Sequence, residues 1–227
     1  MKNTLIALSI LSITSIGSLR AQNSMFDLGL EGGPNLSTVN ITSSIFKVNS
    51  EPTIYGSGGF IFQYNFKNFL SIKTGFSYQA KGFQVKDLLF TDASGNILST
   101  GKMSTRLDYL TFPVLVKASF GKKVQFFVNA GPYAGYLLQK IDRTKINGGT
   151  TTDQDDLSTS GLNRWDFGVS GGIGIAIPIR TYWVISVEAR NYTGLLDIAE
   201  ASSTKWYTNT TDLRVGIAYK LGFYKDE

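Results

Sequence analysis

The chain contains no cysteine and no histidine. The first absence excludes disulfides, a thiol nucleophile and a lipidated cysteine after the leader. The second excludes a Ser-His-carboxylate triad and the usual kind of zinc site. Paired carboxylates suited to acid chemistry do not stand out, so no catalytic residue, cofactor or metal ligand is expected, and no enzyme. No run of about 18 apolar residues follows the N-terminal segment, so a membrane-spanning helix is excluded too. If the chain enters a membrane, it does so as a closed barrel.

The start of the chain reads as a secretory signal peptide over 1–21: Lys2, a mostly apolar run over 5–19, then Ala21 before Gln22. Residues 22–227 remain for one domain. Removing Lys2 and Arg20 takes the basic residues from 22 to 20 against 17 acidic ones. A balance of +3, dispersed along the chain, gives no reason to expect nucleic acid as a partner. What is abundant is aromatic and glycine: 13% Phe, Trp and Tyr, with 24 Gly. That composition favours strands and turns.

The stretch over 165–187 sets the fold class. Trp165, Phe167, Val169, Ile173, Ile175 and Ile177 alternate with Asp166, Gly168, Ser170, Gly172, Gly174 and Ala176, the period of a strand. A soluble barrel would bury the large residues and put long polar ones in water. Here the second face is Gly, Ser and Ala, which suits a narrow interior, so the large face is expected to meet lipid. The same alternation recurs over 26–37, 53–66, 70–81, 104–120, 126–139, 183–192 and 213–223. Pro113 interrupts the fourth strand and predicts a bulge or a break in pairing.

The expected fold is therefore all-β: an eight-stranded antiparallel up-and-down transmembrane β-barrel. Its connections alternate long and short, with short turns at 67–68, 121–123 and 179–181 on the side of the termini. Long polar loops are expected at 38–52, 86–103, 142–162 and 194–206. That is the arrangement of periplasmic turns and extracellular loops, in the Gram-negative outer membrane. Tyr64, Phe66, Phe69, Tyr182, Trp183 and Phe223 at the turn side, and Tyr78, Tyr136, Trp165, Trp206 and Tyr207 at the loop side, are expected as two interfacial girdles.

The inward parity carries Glu31, Lys73, Lys81, Lys117, Asp166, Glu188, Arg190, Arg214 and Lys220. Such charges could line an ion path. In an eight-stranded barrel, however, side chains about fill the lumen and buried charges must pair, so a lumenal network is expected, with Glu188, Arg190 and Arg214 together. Asp153, Asp155 and Asp156 fail the calcium-loop template because Leu157 replaces its glycine, and they are read as a solvated loop tip. The glycines at 171, 172 and 174 precede no helix, so they form no nucleotide loop and are read as close-approach positions.

Residues 108–117, Asp-Tyr-Leu-Thr-Phe-Pro-Val-Leu-Val-Lys, resemble the Tyr-Leu-x-x-Pro-Leu-Leu-x-Lys signature of PorT-like outer-membrane β-barrel proteins. Residues 131–136 and 166–168 are similar to that family's next landmarks, and 190–198 to its Arg-Tyr-x-x-Gly-Leu-x-Asn-Ile, with Asp197 for the usual Asn. The resemblance implies an eight-stranded outer-membrane barrel and allows an accessory subunit of a secretion or assembly machine. The chain departs from it by continuing past Phe223 through Tyr224 to Glu227, so recognition by the barrel-assembly machinery would rest on Phe223 or Tyr224.

The function expected is that of a small barrel with a structural or interaction role. Its partners are outer-membrane lipid and, at loops carrying Phe46, Leu88, Leu89, Phe90 and Ile97, a protein or other ligand. A narrow porin is the remaining alternative.

Overall fold

The computed structural model describes residues 24–43, 50–67, 69–91, 97–146, 149–155, 161–179, 182–200 and 204–223. The segment read as a signal peptide, Phe46, Asp156 and Tyr224 lie outside them. The described strands are β1 (Ser24–Ser43), β2 (Thr53–Lys67), β3 (Leu70–Thr91), β4 (Ile97–Phe120), β5 (Gln125–Ile146), β6 (Gly149–Asp155), β7 (Trp165–Ile179), β8 (Trp183–Gly194) and β9 (Thr204–Phe223). All but β6 close into an antiparallel ring, β1 pairing with β2 and β9 and β4 with β5. The ninth strand, β6, lies outside the ring and pairs with β5.

Side-chain polarity is inverted relative to a water-soluble protein. Ile173 is 66% exposed and Phe126 62%, whereas Asp166, Asp212, Lys81 and Gln79 are fully buried. Apolar side chains facing outward around a ring of paired strands satisfy every requirement of a hydrocarbon solvent, and the soluble-barrel alternative fails on this point. Tyr78, Leu110, Tyr136 and Trp165 stand opposite one another across β3, β4, β5 and β7, forming a row at the outer end. Phe66, Phe69, Tyr182 and Trp183 are exposed at the turn end. Trp206 does not belong to the girdle: it lies inside, edge-on to Phe83 with ring centroids 5.6 Å apart.

One further expectation is corrected, and the one at Pro113 is resolved between its two alternatives. Two of the segments read as long loops, 86–103 and 142–162, are largely strand: β3 and β4 pair out to Thr91 and Ile97, β5 runs to Ile146, and β6 holds Asp153 and Asp155 in a hairpin. Beyond the membrane both faces of a hairpin can be polar, so alternation vanishes while backbone pairing persists. Pro113 gives the expected break in pairing and not a bulge: the register is the same on both sides. The β3–β4 ladder is interrupted between Thr74↔Val114 and Ser77↔Thr111, and the β4–β5 ladder between Pro113↔Tyr133 and Val116↔Ala130, beside Pro113 and Pro132. Proline supplies no N–H to such a ladder. The bulge in β4–β5 lies instead between Asp108 and Tyr109.

The glycines of β7 make room for their neighbours. A Cβ on Gly168 would lie 2.7 Å from Tyr133 Cε1, on Gly172 2.6 Å from Glu188 Oε1, and on Gly174 2.5 Å from Phe127 Cζ. The small face of β7 is thus the space into which large inward side chains of β5 and β8 project.

Candidate functional site: the lumenal charge cluster and its outer cap

The centre of the lumen is a charge cluster assembled from four strands. Glu31 on β1 accepts from Lys73 Nζ at 2.6 Å, Arg214 Nη1 at 2.7 Å and Arg190 Nη1 at 2.9 Å. Glu188 on β8 accepts from Arg190 Nε and Nη2, both at 2.6 Å, and from Lys73 Nζ at 2.9 Å. Arg214 on β9 also bonds Asp212, through Nε at 2.7 Å. Three cations, Lys73, Arg190 and Arg214, face three carboxylates, Glu31, Glu188 and Asp212, so the cluster is electrically balanced. Neutral donors complete it: Asn129 Nδ2 to Glu188 at 2.8 Å, Ser57 Oγ to Asp212 at 3.1 Å and Gln79 Nε2 to Asp212 at 3.1 Å. Burying charges this deeply is tolerable only with such extensive pairing.

The remaining charges expected in one network occupy separate layers. Lys117, nearer the turn end, donates to Gln63 Oε1 at 2.9 Å rather than to a carboxylate, and stands 4.3 Å from the centre of the Phe127 ring. Gln63 in turn donates to Asp27 at 2.9 Å. Lys220 is half-buried opposite Asp27 in the β1–β9 register, apart from the central cluster. Asp166 lies towards the outer end, where Lys81 Nζ meets it at 2.8 Å. It also accepts from Thr208 Oγ1 at 2.8 Å and Tyr133 OH at 3.2 Å. The Lys81 ammonium is enclosed by the rings of Tyr109, Tyr133 and Tyr192, 4.8 to 5.9 Å from their centres.

Above this cage the lumen is capped by apolar residues. Leu107, Tyr109, Leu137, Leu162 and Ile198 form a buried cluster against which Trp206 packs. Leu162 and Ile198 come from the segments 161–164 and 195–200, which cross the mouth and bond each other: Asn163 N to Ile198 O at 2.8 Å, Glu200 N to Gly161 O at 3.0 Å. Asp197 Oδ1 holds the second segment in place by accepting from Ala199 N at 3.0 Å and Trp206 N at 2.9 Å. The stretch 190–198 therefore contributes Arg190 to the charge cluster, Tyr192 to the lysine cage and Ile198 to the cap.

Sequence reading passed over Asp212, Asp27, Gln79, Tyr133 and the cap. Asp212 and Asp27 were accessible by parity, each sharing the inward face with Arg214 or Glu31. The cap carries no periodic signal, because its residues leave the strands.

Among the described residues, no group of three or more Asp or Glu side chains could hold a metal ion. The carboxylates of the central cluster are all engaged by cations, which leaves none poised as a general base. Beside Glu31, Lys73 and Arg190 lies a void of about 10 Å³, room for about one water.

An inverted, ring-closed antiparallel sheet with an ion-paired interior defines a transmembrane β-barrel of the outer-membrane type. The chain belongs to the outer membrane protein beta-barrel domain family, whose model matches residues 20–200. Among solved structures it is similar to the outer membrane protein OprG from Pseudomonas aeruginosa, at 13% identity and TM-score 0.48, covering 88% of this chain and 98% of that one. It is also similar to Neisserial surface protein A, at 11% identity and TM-score 0.45, covering 87% and 98%. A third is the E. coli outer membrane protein W, at 14% identity and TM-score 0.39, covering 89% and 100%. No curated protein matches the chain in sequence.

Proposed function

We propose that this protein is a non-conducting outer-membrane barrel whose lumen is a structural plug and whose extended outer hairpins form a binding surface. The observation that carries this reading is the central layer, where Glu31, Lys73, Glu188, Arg190 and Arg214 are each at most 6% exposed and span the lumen from β1 and β3 to β8 and β9. The apolar cap at Leu162 and Ile198 blocks the outer mouth independently. In this reading the protein has no enzymatic activity, and residues 1–21 are a signal peptide removed on export. The barrel-assembly machinery inserts the chain, and a protein or other ligand engages the outer hairpins.

Planar-bilayer recording of purified protein tests the plug. Flat traces are expected; discrete steps in the wild type would instead make it a narrow porin. A second reading, an accessory subunit of a secretion or assembly machine, is favoured by the PorT-like wording of 108–117 and 190–198. Mild-detergent extraction followed by size determination distinguishes a lone barrel from a stoichiometric subunit.

A further inference from the structure

Above the outer aromatic row, the hairpin of β4 and β5 gathers most of its cations on one face, while Lys140 pairs with Asp142 on the other at 2.9 Å. Thr105 bonds Asp142 at 2.5 Å and stands opposite Phe83, which packs on the inward Trp206, so these three mark the inner face. Alternation then places Arg106 and Ile141, Ser104 and Arg143, and Lys102 and Lys145 on the outer face, each pair directly opposed across the two strands. Lys86 of β3 shares that face. Arg164 joins it from the segment before β7.

Acids are few there. Among the described side chains, Glu51 is held by Lys86 at 2.6 Å and Asp108 by Arg106 at 2.7 Å. Lys102, Arg143, Lys145 and Arg164 make no ion pair among the described residues, and Arg143, Lys145 and Arg164 are exposed. The acids Asp142 and Asp153 of the same hairpin lie on the opposite face, paired in register with each other.

The cations are also anchored to the membrane boundary. Arg106 Nη2 donates to Tyr78 OH at 2.7 Å and Arg164 Nη1 to Tyr136 OH at 3.3 Å, both tyrosines belonging to the outer row. From Arg106, Ser104 and Lys102 climb outward on alternate residues, about 7 Å per step. A column of cations begins where the hydrocarbon ends.

We infer that this face binds the phosphate groups of an anionic lipid in the outer leaflet. The site is continuous with the lipid-facing wall, its excess charge is positive, and its nearest members are held at headgroup height by the girdle tyrosines. Two arginines in it can each bond a phosphate in bidentate fashion.

The test uses the full-length folded barrel in phosphatidylcholine nanodiscs containing a minor fraction of bisphosphorylated lipid A, with lipid counted by native mass spectrometry. The variant is K102Q/R143Q/K145Q, whose positions on the outer face of the hairpin keep the heat-modifiable gel shift as a check on folding. Wild type is expected to retain lipid A, and the variant to retain about tenfold less. Equal retention by both proteins, or equal retention of dephosphorylated lipid A by wild type, would overturn the inference. So would a variant that loses only binding to soluble heparin, since the face would then serve a soluble polyanion.

Discussion

Arg190 grips Glu188 through two bonds of 2.6 Å on its own strand while reaching Glu31 across the lumen at 2.9 Å. The first contact is local and fixes the guanidinium plane. The second joins β8 to β1, strands separated in the ring by β9. One side chain thereby couples a near-neighbour geometry to closure of the barrel.

Breaking this cluster from one side should be costly. R214L leaves Asp212 and part of Glu31 without their cation in a buried site, which should cost about 3–5 kcal/mol. The companion change D212L in the same chain should restore part of that loss, because an apolar pair needs no counter-charge. Urea unfolding in lipid vesicles measures both. An R214L midpoint equal to wild type would show that the cluster does not hold the barrel.

The two faces of β7 should respond oppositely to the same substitution. G174V drives a side chain into Phe127 Cζ and Val187 O, each 2.5 Å from the new Cβ, and should prevent folding to the heat-modifiable form. G171V faces outward, with Asn129 O 3.7 Å away, and should change stability by less than about 1 kcal/mol. Similar behaviour of the two on unboiled gels would contradict the assigned faces.

Two tyrosines in the lysine cage differ at their hydroxyls. The Tyr109 hydroxyl is buried with no hydrogen-bond partner among the described residues, whereas that of Tyr133 bonds Asp166 at 3.2 Å. Y109F should therefore be neutral or stabilising, and Y133F should lose about 1 kcal/mol or more. Thermal melting of the two variants in one detergent gives the order, and the reverse order would refute the assignment.

Releasing the cap should expose it without opening a pore. D197A removes the acceptor for Ala199 N and Trp206 N, so protease should cut within 195–200 faster than in wild type. Conductance should stay absent, because the layer at Arg190 is unaffected. Channel steps in D197A would mean that the cap alone seals the lumen.

One outer contact should depend on pH. The Lys86 hydrogen bond holds the Glu51 carboxyl below its ordinary value. A depressed folded-state value means that any stabilisation is complete above the unfolded pKa and is lost as pH falls through the folded one. The pairing of Glu51 with Gln84 should thus persist at pH 7 and loosen as pH falls below the ordinary glutamate range. Hydrogen exchange at these two amides, corrected for intrinsic rates, should show a pH-dependent loss of protection that K86Q abolishes.

Parity made much of the barrel readable in advance. The alternation of Trp165, Phe167 and Val169 with Asp166, Gly168 and Ser170 assigns inside and outside, because a strand has only two faces and hydrocarbon accepts only one of these sets. The glycines at 172 and 174 were readable as close-approach sites, although the side chains that fill them, Glu188 and Phe127, come from other strands. The outer hairpins were not readable as strand, since Thr, Ser and Lys on both faces carry no period even where the backbone is fully paired.

The amino-acid sequence by itself determined the strand count of the ring, its lipid-facing side, the short and long ends, and the type of residue in the lumen, all consequences of local periodicity and turn chemistry. Only the tertiary structure decided which charges meet. Lys81 joins Asp166 while Lys117 joins Gln63, because partners across a closed ring are set by shear and register between distant strands. The cap was decided there too: Leu162 and Ile198 meet only once the barrel brings two irregular segments across the same mouth.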